Sequence, residues 1–330
     1  MTLADQRVLI TGATGFLGGA LALRLLADGA HVRALARSPD KADTLRESGV
    51  EVVQGDVTDP ESLRRAADGC GVVFHAAASF ARSYERQQAV NVVGTHNVAQ
   101  AAADAGVRRL VHVSSISVYG FNHPGDVTEE SALAPGADPY ANTKKDGELA
   151  LRRTAEARGL SFAICRPGMI YGPRSPNWTG NMFRLAKRNP TRWVGDGSGS
   201  THPIYVDDVV DLLVTLAVHP SAEGQAFNCT PDPAPTWREF LGAYSRLAGH
   251  DNWQPIPPPL MAAFAGVVML VSPRNSAGRD LPDITQFSQR RTCFRMDKAR
   301  TLLNWSARVD LATGIAKCAP WLREQGLLDG

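Results

Sequence analysis

The chain has 330 residues, of which 44% are hydrophobic and 21% charged, and its formal net charge is +2. That length exceeds one ordinary domain and predicts a large core with a smaller second lobe, while the scattered Lys and Arg residues speak against a nucleic-acid partner and still suit a phosphate-bearing cofactor. Cys70, Cys165, Cys229, Cys293 and Cys318 are far apart and form no C-x-x-C pair, so no metal site and no disulfide framework are expected, and reduced thiols in a cytoplasmic setting are the simplest reading.

The N-terminus, MTLADQRVLITG, has no basic region leading into a long apolar run, which is not the pattern of a signal peptide. Strands are expected at 7–12, 31–37, 50–56, 71–77, 109–115 and 161–168, because each is rich in Val, Ile, Leu or Ala without strict polar alternation. Helical patterns at 16–28, 60–67, 87–105 and 140–158 separate them. Asp59-Pro60-Glu61 is a good helix start, with a capping side chain followed by proline. The alternation predicts an α/β fold, a Rossmann-type doubly wound parallel sheet covered by helices.

After about Gly172 the rhythm changes. Pro and Gly cluster at 172–203 and 231–259, helices are expected at 208–218, 236–248 and 296–304, and one more strand at 225–230. The expected division is a dinucleotide-binding domain over 1–171, with 204–229 returning to it, and a smaller substrate-binding lobe from 172–203 and 230–330. The most apolar stretch, 260–271, would reach only about 18 Å as a helix. A bilayer core needs about 30 Å, so the stretch reads as a core helix, a lid over an apolar pocket, or a membrane-surface element.

The first strand runs directly into G-A-T-G-F-L-G at 12–18. Glycine permits the tight turn, clears space where a pyrophosphate approaches and lets the helix pack close to the strand, while free N–H groups and the helix dipole favour the phosphates. Asp56 and Val57, ending the third strand, can place a carboxylate beside an adenine amino group. The second strand ends in Ala-Leu-Ala-Arg37, with Lys41 beyond, where NAD-specific sites carry an acid. An arginine there pairs with a 2′-phosphate, which favours NADP(H) and keeps NAD(H) as the other reading; a solvated basic edge is the plainer explanation.

Tyr140 and Lys144 stand four residues apart, so on a helix they share one face. A phenol of ordinary pKa near 10 needs roughly 4 kcal/mol of differential stabilisation to ionise at neutrality. A neighbouring ammonium and the cationic ring of an oxidised nicotinamide are expected to supply it, which makes Tyr140 a proton-transfer group. Ser115 falls at the end of the fifth strand, facing the ligand crevice, where its hydroxyl either holds a substrate oxygen or caps the loop.

Together these motifs resemble the extended short-chain dehydrogenases/reductases of the epimerase/dehydratase superfamily. The resemblance runs nearly end to end, through TGATGFLG (11–18), GDV (55–57), HAAA (75–78), NVVGTHNV (91–98), VSSISVYG (113–120), YANTK (140–144), RPGMIYGP (166–173) and HPIYVDDVV (202–210). It implies Ser115, Tyr140 and Lys144 as the catalytic triad. It implies a cofactor site lined by Gly12, Thr14, Gly15, Phe16, Leu17, Gly18, Arg37, Asp56, Val57, Ala76, Ala77, Ala78, Asn91, Tyr140, Lys144 and Pro167. His75 stands where relatives often carry asparagine. His202, Asp207 and Asp208 are expected to be structural, with Asp208 capping a helix.

Two branches of that family fit. Nucleotide-sugar epimerases and dehydratases keep NAD bound, whereas a branch resembling 3β-hydroxysteroid dehydrogenases and dihydroflavonol reductases exchanges NAD(P)(H) with solution. Arg37, the apolar 256–271 and the ending 290–305 lean to the second, and so to ketone–alcohol interconversion on a largely apolar small molecule. A non-catalytic nucleotide sensor is a third reading, against which the tyrosine–lysine pair argues. A homodimer through the helices at 87–105 and 140–158 is what the resemblance implies for assembly.

Overall fold

The first strand, Arg7–Thr11, shows why the sheet forms. Val8 and Ile10 pack into one apolar cluster and Leu9 into another on the opposite face. The same split recurs at Val72 and Phe74 against Val73, and at Ala163 and Cys165 against Ile164. Successive side chains leave a strand on opposite faces, so an unbroken apolar run is stable only where helices cover both.

The computed structural model describes residues 2–120, 123, 125–271 and 287–329. Seven strands form a parallel sheet in the spatial order Ala226–Cys229, Phe162–Pro167, Arg109–Val113, Val72–His75, Arg7–Thr11, His31–Ala36, Glu51–Gln54. The chain starts in the middle, winds outward through the second and third strands, then returns beside the first strand and winds the other way. The fold is therefore a doubly wound Rossmann-type α/β sheet, and its direction reverses between the first and fourth strands. There Thr11 and His75 lie side by side in register, and at such a switch point the strand ends open into a ligand crevice. The strand pair Thr191–Val194 and Trp253–Ile256 lies outside this sheet.

Local chemistry sets the helices that border the crevice. Phe16–Ala27 begins at Gly15, which offers no side-chain cap. Pro60–Ala67 is capped by Asp59, whose side chain accepts from the Glu61 N–H, as its sequence indicates. Pro139–Arg158 begins with the Asp138 carboxylate accepting from the Tyr140 N–H at 2.9 Å and stops at Gly159, which adopts the left-handed conformation.

The helix expected over 87–105 differs. It is built as Tyr84–Gln88 and Gly94–Asp104, joined by a single π-turn over Ala89–Val93 that turns Asn91 inward. Against that turn the helix Pro139–Arg158 comes so close that a Cβ on Gly147 would overlap the Asn91 carbonyl oxygen.

The apolar stretch 260–271 lies in the helix Pro258–Val271, but it is not a core helix, because Leu260, Phe264 and Val267 stand in solvent. Among the described residues no helix is long and apolar enough to cross a membrane.

The Gly147 contact makes a test of packing. Gly147→Ala should lower stability by about 1–3 kcal/mol, since neither backbone can yield. Gly266→Ala, which meets nothing within 4 Å, should be neutral or stabilising by up to ~1 kcal/mol through helix propensity. Equal denaturation midpoints for the two variants would show that the helices do not meet as described.

Candidate functional site

The turn after the first strand depends on glycine. Gly12 has φ +77°, and a Cβ there would lie 2.6 Å from the Ala77 nitrogen and 2.7 Å from the Ala76 carbonyl carbon. A Cβ on Gly18 would overlap the Gly12 carbonyl oxygen. Thr14 and Gly15 are exposed, and Phe16 and Leu17 half-buried, at the uncapped start of a 12-residue helix. A strand end, a side-chain-free turn and an open helix N-terminus fit a pyrophosphate in physical terms.

On the other side of the switch point, the loop after the fourth strand carries Ala76, Ala77 and Ala78. His75, just before it, is buried, and its ring bridges the Thr11 hydroxyl at 2.7 Å and the Thr95 hydroxyl at 3.0 Å. Burial first, and then the nearby Lys144, push its pKa down to about 3, so it stays neutral and acts as a clamp between two strand ends and a helix. Asn91 braces the same loop from behind. Its side chain accepts from the Ser79 N–H at 2.7 Å and donates to the Ser79 carbonyl at 3.1 Å and to the Thr143 hydroxyl at 3.0 Å.

Ser115, Tyr140 and Lys144 come together across the crevice. The Ser115 hydroxyl accepts from the Ser117 N–H at 3.1 Å, capping the short turn Ile116–Tyr119, and it stands beside the Tyr140 phenol. Of the two readings of this serine from sequence, the geometry shows the loop cap. Lys144 is buried and donates to the Val113 carbonyl at 2.6 Å, next to the end of the fifth strand. Phe80 stacks on Tyr140, with centroids 4.5 Å apart and planes at 21°, yet it is 69% exposed.

The electrostatics correct one expectation. The Tyr140 phenol is pushed up rather than down in this protein, chiefly by burial and further by the Asp138 carboxylate, with only the Ser115 hydrogen bond opposing. Desolvation of the phenolate outweighs the local attractions, so a depressed value needs charge from outside the chain. Lys144 is lowered by burial to about 8, and Glu148 resists that shift.

Glu148 belongs to a buried network that the sequence reading missed. Its carboxylate receives Arg166 twice, at 3.0 and 2.7 Å, and Arg166 also donates to the Tyr119 hydroxyl at 2.6 Å. That hydroxyl in turn donates to the Asn228 side chain at 2.8 Å. One signal was present: Tyr140, Lys144 and Glu148 recur every four residues on one helix face.

The remaining positions fall at the rim or behind it. Arg37 is exposed at the end of the second strand. Asp56 spends one carboxylate oxygen on the Thr58 N–H and hydroxyl, both at 2.9 Å, and Val57 is buried against Gly94. Pro167 is buried where its strand meets Cys229. His202 accepts or donates within a buried cluster, contacting the Thr292 carbonyl at 2.9 Å and Arg290 at 3.1 Å. Asp207 is exposed near Lys317. Asp208 does not cap a helix: its two oxygens accept from the N–H groups of Arg308 and Val309 and tie down the chain ahead of the last helix, which Asp310 caps.

Lys144 gives a signed pH test. With a folded value near 8 against 10.5 in the open chain, the unfolded state holds more protons between those values. Its contribution to stability is therefore lost as pH falls through 8 and recovered as pH rises toward 10.5, by up to about 1.4 kcal/mol per pH unit. Denaturant unfolding across that window should show wild type gaining on Lys144→Met as pH rises. A pH-independent gap between the two proteins would contradict the buried ammonium.

The sequence profile of the NAD dependent epimerase/dehydratase family matches residues 8–230. The chain is 33% identical to a UDP-glucose 4-epimerase of Mycolicibacterium smegmatis, over 97% of this chain and 99% of that one. It is 34% identical to a 2-alkyl-3-oxoalkanoate reductase of Stenotrophomonas maltophilia, over 67% of this chain and 68% of that one. Among solved structures it is similar to MoeE5 in complex with UDP-glucose and NAD, with TM-score 0.77 and 26% identity over 97% of this chain and 99% of that chain. With the glycine turn, the switch-point crevice and the strand order that this family's fold requires, the chain is an enzyme of the dehydrogenase/reductase type that belongs to the NAD dependent epimerase/dehydratase family.

Proposed function

We propose that this enzyme interconverts a ketone and a secondary alcohol on a largely apolar small molecule, preferring NADP(H), with Tyr140 as the proton-transfer group. The observation that carries the reading is Phe80. An aromatic ring 69% exposed and stacked on the Tyr140 ring offers an apolar wall at the reacting centre. A sugar hydroxyl set gains little from that wall, and an alkyl or polycyclic body gains its burial. The likeness to a protein named as a 2-alkyl-3-oxoalkanoate reductase supports the same class of substrate.

The residues divide the work. Gly12, Thr14, Gly15, Phe16, Leu17 and Gly18 hold the pyrophosphate, Asp56 and Val57 flank the adenine, and Ala76, Ala77, Ala78 and Pro167 line the way to the reacting end, with Asn91 bracing them. Once bound, the reduced nicotinamide supplies the hydride. Ser115 holds the substrate oxygen, and the protonated phenol delivers its proton to that oxygen as an alkoxide develops. Lys144 keeps the helix anchored to the Val113 carbonyl. A homodimer through the helices at 87–105 and 140–158 belongs to the same proposal, and exposed Val93 and Leu149 on them support it.

A second reading, a nucleotide-sugar epimerase, is favoured by the end-to-end likeness to the UDP-glucose 4-epimerase. The two separate by assay. NADPH oxidation with hydrophobic ketones, absent with UDP-glucose, supports the reductase; copurifying NAD with turnover of UDP-sugars supports the epimerase. Tyr140→Phe should cut ketone reduction by roughly 10²–10⁴-fold with cofactor affinity nearly unchanged. For the cofactor, Arg37→Ala should weaken NADPH on the order of tenfold more than NADH, because only NADPH offers a 2′-phosphate to a guanidinium; equal losses would remove Arg37 from that role.

A further inference from the structure

The most anomalous surface lies outside the site. The helix Pro258–Val271 has the sequence PPLMAAFAGVVMLV, and residues 252–273 contain no charged side chain. A run of this kind belongs in a core, yet Leu260 is 62%, Phe264 57% and Val267 60% exposed, and among its described side chains only Ala265 is buried. Leu260, Phe264 and Val267 share one helix face. Ala262, Ala263 and Gly266 are exposed as well, so the apolar surface extends around much of the circumference.

We infer that this helix is a docking element for the surface of a lipid bilayer. Three features choose that occupant over a second copy of the chain. A stable homodimer buries about 800 Å² on each partner, and three large side chains on one helix fall well short of it. An apolar surface that wraps around the helix suits a continuous apolar phase better than a partner with one complementary face. The base of the helix also carries the chemistry of a headgroup boundary. Trp253 and Gln254, on the strand leading into it, meet Arg238, 5.6 Å over the indole, and Arg192, which donates to Gln254 at 2.9 Å. Both arginines are exposed, while the nearby Asp251 is paired with Arg246 and Glu239 is held in a capping box with Thr236. Arginine and tryptophan at the edge of an apolar element fit phosphate headgroups.

At 14 residues the helix reaches about 21 Å, against about 30 Å for a hydrocarbon core, so it embeds in one face and does not cross. One consequence, which rests on the proposed function, is that an apolar ketone would be met where it partitions. The docking itself needs no turnover.

Flotation of the full chain with phosphatidylcholine vesicles tests it. Wild type should rise with the vesicles. The triple variant Leu260→Ser, Phe264→Ser, Val267→Ser should lose roughly 100-fold in partitioning, with an unchanged far-ultraviolet spectrum and NADPH affinity showing that it is folded. Phe264→Trp alone should still float. The inference is overturned if wild type stays with the soluble fraction, or if the triple variant floats equally. It is overturned in favour of a second copy if wild type does not float but sediments as a dimer that the triple variant dissociates. Because ketone turnover is read separately, loss of vesicle binding leaves the reductase reading standing, and an inactive enzyme that floats leaves the docking standing.

Discussion

Lys144 spends its ammonium on the Val113 carbonyl at 2.6 Å, and the arrangement of the site follows from that contact. A buried cation must be hydrogen-bonded or lose its charge, so the helix Pro139–Arg158 is tethered to the end of the fifth strand. The tether brings Tyr140, one turn earlier, to Ser115, two residues beyond the carbonyl. Behind it, the close approach of Gly147 to Asn91 seats the helix, and Asn91 in turn shapes the loop at Ser79. Two effects then compete over the lysine: burial drives its proton off, and Glu148 holds it on. Arg166 grips the same carboxylate in bidentate geometry. The removal of either member would leave the other buried and unpaired, which is costly even though an intact buried pair adds little net stability.

Much of this was legible in the residues. Apolar runs spaced by helical patterns gave the doubly wound sheet, because a two-faced sheet leaves no other use for them. The glycine turn was legible for a related reason: only glycine tolerates φ +77° with the backbone of Ala76 and Ala77 against it. Tyr140, Lys144 and Ser115 were found by spacing and by position at a strand end.

What escaped was set by packing between segments distant in sequence. His75 reads as a strand residue, and its clamp exists only because Thr11 and Thr95 converge on it. Asp208 reads as a helix-start acid, and its partners are the N–H groups 100 residues on. The π-turn at Ala89–Val93 has no local signature, since it is imposed where a helix must bring Asn91 inward. The helix Pro258–Val271 was legible as a helix and not as a surface, because hydropathy says what a segment avoids and not what it finds.

In the chain alone, burial and Asp138 push the Tyr140 phenol up, where the sequence asks an ammonium and an oxidised nicotinamide together to lower it. This fits the proposed chemistry in one direction better than the other. For ketone reduction the tyrosine starts as a proton donor, and a raised pKa keeps it loaded at neutral pH. For alcohol oxidation it must first ionise against desolvation. The oxidised cofactor would bring the positive charge that opposes this desolvation.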